Sequence, residues 1–106
     1  MPQREDCLFC QLARERVHVN RTEGFAAIND INPLAPVHIL VLPEEHIDTF
    51  RDIAEFDADA SKRMLEFVAD TAAKAGLEDY RVMVNVGPTA GQTIFHLHWH
   101  ILGGLE

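Results

Sequence analysis

Apolar residues recur at two different periods along this 106-residue chain, and the switches between them lay out its elements. Leu8, Phe9, Leu12 and Ala13 keep helical spacing and predict a short helix from Cys7 to about residue 17. Val17-His18-Val19 reads as a short strand. Phe25-Ala26-Ala27-Ile28 reads as its hairpin partner, joined through Glu23-Gly24. Residues 29–36, with two prolines and several turn formers, read as loop. Val37 to Leu42 is a nearly unbroken apolar run and predicts a mostly buried strand that stops at Pro43. The long amphipathic segment comes next, with Ala60, Met64, Val68, Ala72 and Ala75 near helical spacing and Leu65 and Phe67 alongside. Asp57 or Asp59 is placed to cap its start and Gly76 to end it. Its apolar stripe reads as core packing against a sheet. Tyr80 to Val84 predicts another strand, and residues 85–91 a glycine-containing loop. The last strand carries His96 to Leu102 and fades at Gly103-Gly104, and residues 1–6 read as loose.

Helix, hairpin, strand, long helix and two strands, with short connections, predict an α+β fold. We expect a mostly antiparallel five-stranded sheet with one short N-terminal and one long helix, both helices on one side. Exposed sheet edges make a homodimer plausible. The whole of 1–106 reads as one small domain.

Composition narrows the function classes. Hydrophobic content of 47% and charged content of 25% are ordinary for a globular protein. No run approaches the ~18 apolar residues of a membrane span. The polar start MPQREDCLFC has no secretory h-region, so a cytoplasmic location is expected. A net charge of −8 argues against nucleic acid as a partner, because no basic stretch could neutralise a phosphate backbone. It also means that a small anion must be held by local donors against an unfavourable overall field.

The chemistry gathers late in the chain. His96-Leu97-His98-Trp99-His100 alternates imidazole with apolar side chains. At the period of a strand, the three histidines share one face, about 6.6–7 Å apart, and Leu97, Trp99 and Ile101 share the other. That spacing suits a shared site in which each ring has its own role. Just before them, Asn85-Val86-Gly87-Pro88-Thr89-Ala90-Gly91-Gln92-Thr93 offers backbone N–H groups, amides and hydroxyls. These are neutral donors suited to a phosphate. Cys7 and Cys10 form a C-x-x-C pair, with three readings. A disulfide is disfavoured in a reducing compartment. A thioredoxin-like pair would normally follow a strand. Half of a zinc site needs two more ligands, and six histidines are available.

The H-φ-H-φ-H-φ-φ pattern after Gly91-Gln92-Thr93 resembles the signature of the histidine triad family of nucleotide hydrolases and transferases. The resemblance extends through Asp30-Ile31-Asn32-Pro33, Pro36 to Pro43, His46, Tyr80 to Asn85 and Ile101 to Gly104. It looks most like the Hint branch of purine nucleoside phosphoramidate hydrolases. That resemblance implies His98 as the nucleophile, forming a nucleotidyl-histidine intermediate. It implies His100 at the phosphoryl oxygens or leaving group and His38 as the residue that orients the rings. Asn85, Gln92 and Thr93 would bind the phosphate. Asp30 would accept from the ribose hydroxyls, and Phe9, Leu12, Ile28 and Ile31 would line the base pocket.

Bacterial-type members, and the related galactose-1-phosphate uridylyltransferases, carry zinc on C-x-x-C and two histidines. By that resemblance Cys7, Cys10, His46 and His96 would hold a structural zinc, and no magnesium is required. The resemblance further implies a purine nucleotide substrate and a homodimer. Longer members carry a C-terminal tail that reaches the partner's site. The sequence here ends at Leu105-Glu106, so broad tolerance of the leaving group is expected. The leading expectation is hydrolysis of a nucleoside 5′-phosphoramidate or acyl-nucleotide to the monophosphate. The alternatives are a dinucleoside polyphosphate hydrolase, a nucleotidyl transferase, or a zinc-stabilised nucleotide-binding scaffold module.

Overall fold

A computed structural model describes residues 7–14 and 18–105. The expectations for residues 1–6, and for the end of the first helix and Val17, fall outside the described residues. Helix α1 spans Leu8–Arg14. Strands β1 (Asn20–Thr22) and β2 (Phe25–Asn29) form the hairpin, and β3 runs Val37–Pro43. A 3-10 helix at Phe50–Glu55, with no counterpart in the sequence reading, leads into α2 (Ala58–Lys74). Strand β4 (Tyr80–Met83), a 3-10 turn at Pro88–Ala90 and strand β5 (Trp99–Gly103) complete the order. The sheet order is β1-β2-β3-β5-β4, and every pairing is antiparallel.

Local chemistry explains the boundaries. The turn Glu23-Gly24 pairs Thr22 with Phe25, so β1 must abut it. The strand therefore lies at Asn20–Thr22, after His18 and Val19, which stand outside it. Asp57 caps α2 by accepting from the Ala60 N–H at 3.1 Å. At the other end Leu77 N–H reaches the Ala72 carbonyl and Gly76 N–H the Ala73 carbonyl, a complete Schellman motif. Gly76 sits at φ 80°, where a side chain would be strained.

Period-two alternation then divides the core. Ile39 and Val41 of β3 join Phe25, Ala27, Trp99 and Ile101 against Met64, Phe67, Val68 and Ala72 of α2. Leu40 and Leu42, on the opposite face, pack on Phe9 and Ala13 of α1. The two helices therefore cover opposite faces of the sheet, which corrects the one-sided expectation. A strand buried on both faces needs apolar residues at successive positions, and the run Ile39 to Leu42 supplies them. Leu65 and Ala75, expected in the stripe, are exposed. Among the described residues, no helix is long and apolar enough to cross a membrane.

Candidate active site

The α1-side face of β3 and β5 carries the histidines. In the β3–β5 register Leu40 opposes His100, and His38 opposes Leu102. His38 and His100 are thus diagonal neighbours on one face, within reach of each other. β5 begins at Trp99, so His96 and His98 precede the ladder, where a strand through all three was expected. Pairing stops there because Leu97 N–H turns to the Ile47 carbonyl at 2.7 Å. The predicted faces nonetheless persist. Leu97, Trp99 and Ile101 enter the α2-side core, while His98 and His100 line a cavity on the other side.

That cavity has a volume of about 380 Å³, within the range of small-ligand sites. Phe9, Leu12, Ile28 and Ile31 form its apolar wall, with Ile31 91% exposed at the rim. Asp30, His38, Asn85, Thr93, His98 and His100 supply polar groups. Gly91 of the expected donor loop lines it, as does Leu8, which the sequence reading placed only in the helix. Gly91 sits at φ 94°, and a Cβ there would lie 3.3 Å from Asn85 Nδ2. The loop therefore needs glycine at this point. Asn85 Nδ2 donates to the Ala90 carbonyl at 2.8 Å and closes the loop.

Hydrogen bonds assign a tautomer to each ring. His98 Nδ1 lies 2.7 Å from the His96 carbonyl, which can only accept, so Nδ1 carries the proton. Nε2 of His98 keeps its lone pair. Burial pushes His98 below its ordinary 6.5, and the ring is neutral at pH 7. The Phe9 ring packs edge-on against it, with centroids 4.8 Å apart. His38 Nδ1 accepts from the Leu34 N–H at 3.0 Å, so its proton sits on Nε2. That Nε2–H donates to His100 Nδ1 at 2.9 Å. His100 is left with a buried Nε2–H that has no acceptor among the described residues. Burial first, then the neighbouring His98 and His38, push the His100 pKa down to about 4.

Gln92 departs from its expected role. It does not line the cavity, and its amide is engaged with Gly87, Asp48 and Ile94. His18 is half-buried and bonds the Leu12 carbonyl near the end of α1 at 3.0 Å.

Beside the cavity, Cys7, Cys10, His46 and His96 bring their ligand atoms within 4.8 Å of one another. Sγ–Nδ1 separations are 3.3 Å for Cys7–His96, 3.4 Å for Cys10–His96 and 3.3 Å for Cys10–His46. Tetrahedral zinc with ordinary Zn–S and Zn–N bonds requires about 3.5 Å along such an edge. His96 Nε2–H donates to the Pro43 carbonyl at 2.7 Å, and His46 Nε2–H to Asp48 Oδ1 at 2.5 Å. Both Nδ1 lone pairs therefore face the thiols, and the donor set fits zinc. Asp48 was missed in the sequence reading, although its place two residues after His46 was a usable signal. Asp30, His38 and His100 also converge, but the protonated His38 Nε2 has no lone pair to offer a cation.

The family model described as HIT domain matches residues 12–106. A HIT-like protein of Rickettsia prowazekii is 47% identical over 81 residues, covering 74% of this chain and 68% of the relative. A HIT family hydrolase from Clostridium thermocellum superposes with a TM-score of 0.87 at 38% identity, covering 96% of this chain and 93% of that one. A zinc-bound histidine triad family protein from Mycobacterium smegmatis superposes with a TM-score of 0.73 at 26% identity, covering 92% and 73%.

Proposed function

The chain belongs to the HIT domain family, and from that premise we propose that it is a nucleotide hydrolase acting through His98. Its substrates are nucleoside 5′-phosphoramidates or acyl-nucleotides, with a purine base, and its product is the nucleoside monophosphate. The observation that supports this reading is the state of His98, a cavity-lining ring whose Nδ1–H is spent on the His96 carbonyl and whose Nε2 has no partner among the described residues. A neutral imidazole held in one tautomer is a competent nucleophile near pH 7.

In this reading Nε2 of His98 attacks the α-phosphorus and the bond to the leaving group breaks, its electron pair departing on the acyl oxygen or on the nitrogen, which takes a proton from solvent. The His100 Nε2–H, with no acceptor among the described residues, stabilises the developing charge there. His38 fixes that proton in place by occupying Nδ1 of His100. Thr93 and Asn85 face the phosphoryl oxygens from the loop, and Asp30 accepts from the ribose hydroxyls. Water then attacks phosphorus, and the P–N bond to His98 breaks, releasing the monophosphate. Cys7, Cys10, His46 and His96 would hold a structural zinc, the four residues supplying its ligands. Holding it there would tether α1, whose Leu8, Phe9 and Leu12 form one cavity wall.

The edge strand β4, with Tyr80 and Val82 exposed, supports a homodimer through that edge and α2. Light scattering at micromolar concentration should return a dimer mass. For the activity, adenosine 5′-phosphoramidate is mixed with the protein and quenched early. A mass increase of one adenylate on the peptide containing His98 is expected. Turnover without that adduct contradicts the covalent route.

A further inference from the structure

Gln92 is a buried polar side chain, 4% exposed, that the proposed chemistry leaves without a role. Its Oε1 accepts from the Gly87 N–H at 3.0 Å. Its Nε2 donates to the Asp48 carbonyl at 2.7 Å and to the Ile94 carbonyl at 3.1 Å. One donor partner and two acceptor partners admit a single orientation of the amide. Both Nε2 hydrogens are spent, so neither remains for a phosphate. The backbone of the same residue returns to the same glycine, with Gln92 N–H donating to the Gly87 carbonyl at 3.0 Å. Gly87 is therefore gripped by Gln92 at both of its polar groups. It opens the turn that ends at Gly91, whose edge lines the cavity. At the other end of the amide, Asp48 accepts from Gln92 at its carbonyl and from His46 at its carboxylate.

We infer that Gln92 is a positioning residue: it holds the Gly87–Gly91 loop in its phosphate-receiving shape and anchors it to the Asp48 segment beside the metal cluster, without touching phosphate. This rests on reading the cavity as a nucleotide site. The physical reason is that a loop with two glycines at positive φ has much freedom to lose. A clamp built into the protein removes that freedom before the ligand arrives, so binding does not have to supply the ordering.

Three readouts separate this role from the others. The first uses the native protein: its NMR signals are followed during titration with AMP and, separately, adenosine. The Gly91 and Thr93 backbone amides should shift with AMP, while the Gln92 side-chain amide stays in place. The second is hydrogen exchange at the Gly87 amide in Gln92→Met, which keeps length and removes all three side-chain bonds. Exchange should accelerate at least tenfold. The third is calorimetric affinity. Gln92→Met should lose about tenfold for AMP and keep its adenosine affinity, consistent with the loss of a hydrogen-bonded clamp. Thr93→Ala should weaken AMP with Gly87 protection intact. A Gln92 side-chain signal that moves with AMP as far as Thr93 would overturn the inference, as would an unchanged AMP-to-adenosine ratio in Gln92→Met. If AMP moves no signal in the native protein, the nucleotide reading itself fails. Gly87 exchange in Gln92→Met then still decides whether the clamp exists.

Discussion

His38 donates its Nε2–H to Nδ1 of His100 across 2.9 Å, because the backbone N–H of Leu34 already occupies its own Nδ1. A main-chain amide in the loop before β3 thereby dictates which nitrogen of His100 bears a proton. His38→Ala leaves that choice open. We expect it to lower kcat roughly tenfold or more with little change in KM, and His100→Ala to cost on the order of 100-fold. Steady-state kinetics on adenosine 5′-phosphoramidate checks both. Equal losses in KM and none in kcat would assign these rings to ground-state binding.

The same burial makes the fold sensitive to acid. His100 titrates at about 4 when folded and at its ordinary 6.5 when unfolded. Between those values the unfolded chain binds the extra proton, so stability rises with pH. The contribution is complete above 6.5 and is lost as pH falls towards 4. Denaturant melts from pH 4 to 7 should show this slope, and His100→Gln should reduce it, leaving the part that the buried His98 carries.

Zinc should be present at about one per chain by metal analysis. Asp48→Asn removes the carboxylate that holds the His46 ring and should weaken zinc 10- to 100-fold. Cys7→Ser should lower the melting temperature more than it lowers turnover measured in the cold. A chelator that strips the metal without lowering the melting temperature would contradict the tether.

Met64 lies in the α2-side core, 1% exposed and on the opposite face of the sheet from the histidines. Met64→Ala should cost roughly 2–5 kcal/mol of stability, read by urea unfolding, and leave kcat near native at low temperature.

Much of this was legible in the residues. The run Val37 to Leu42 and the stripe Met64, Val68 and Ala72 marked β3 and α2, because burial on a regular element leaves a period. The alternation His96 to His100 marked the face, since side-chain direction in extended chain follows from position parity. What was hidden depends on pairing and on main-chain groups. The placement of α1 and α2 on opposite faces is not written in either helix. The Leu34 amide that sets His38 has no side-chain signature. Gln92 has the right chemistry for a phosphate ligand, and only the carbonyls of Asp48 and Ile94 show that its donors are taken.

The proposed chemistry turns on His98 as the nucleophile. The most direct measurement is turnover of adenosine 5′-phosphoramidate by His98→Ala beside calorimetric AMP binding to the same variant. Turnover should fall by a factor of at least about 10⁴ while AMP affinity stays within severalfold of native. Turnover within tenfold of native would contradict it and move the chemistry to another group in the cavity.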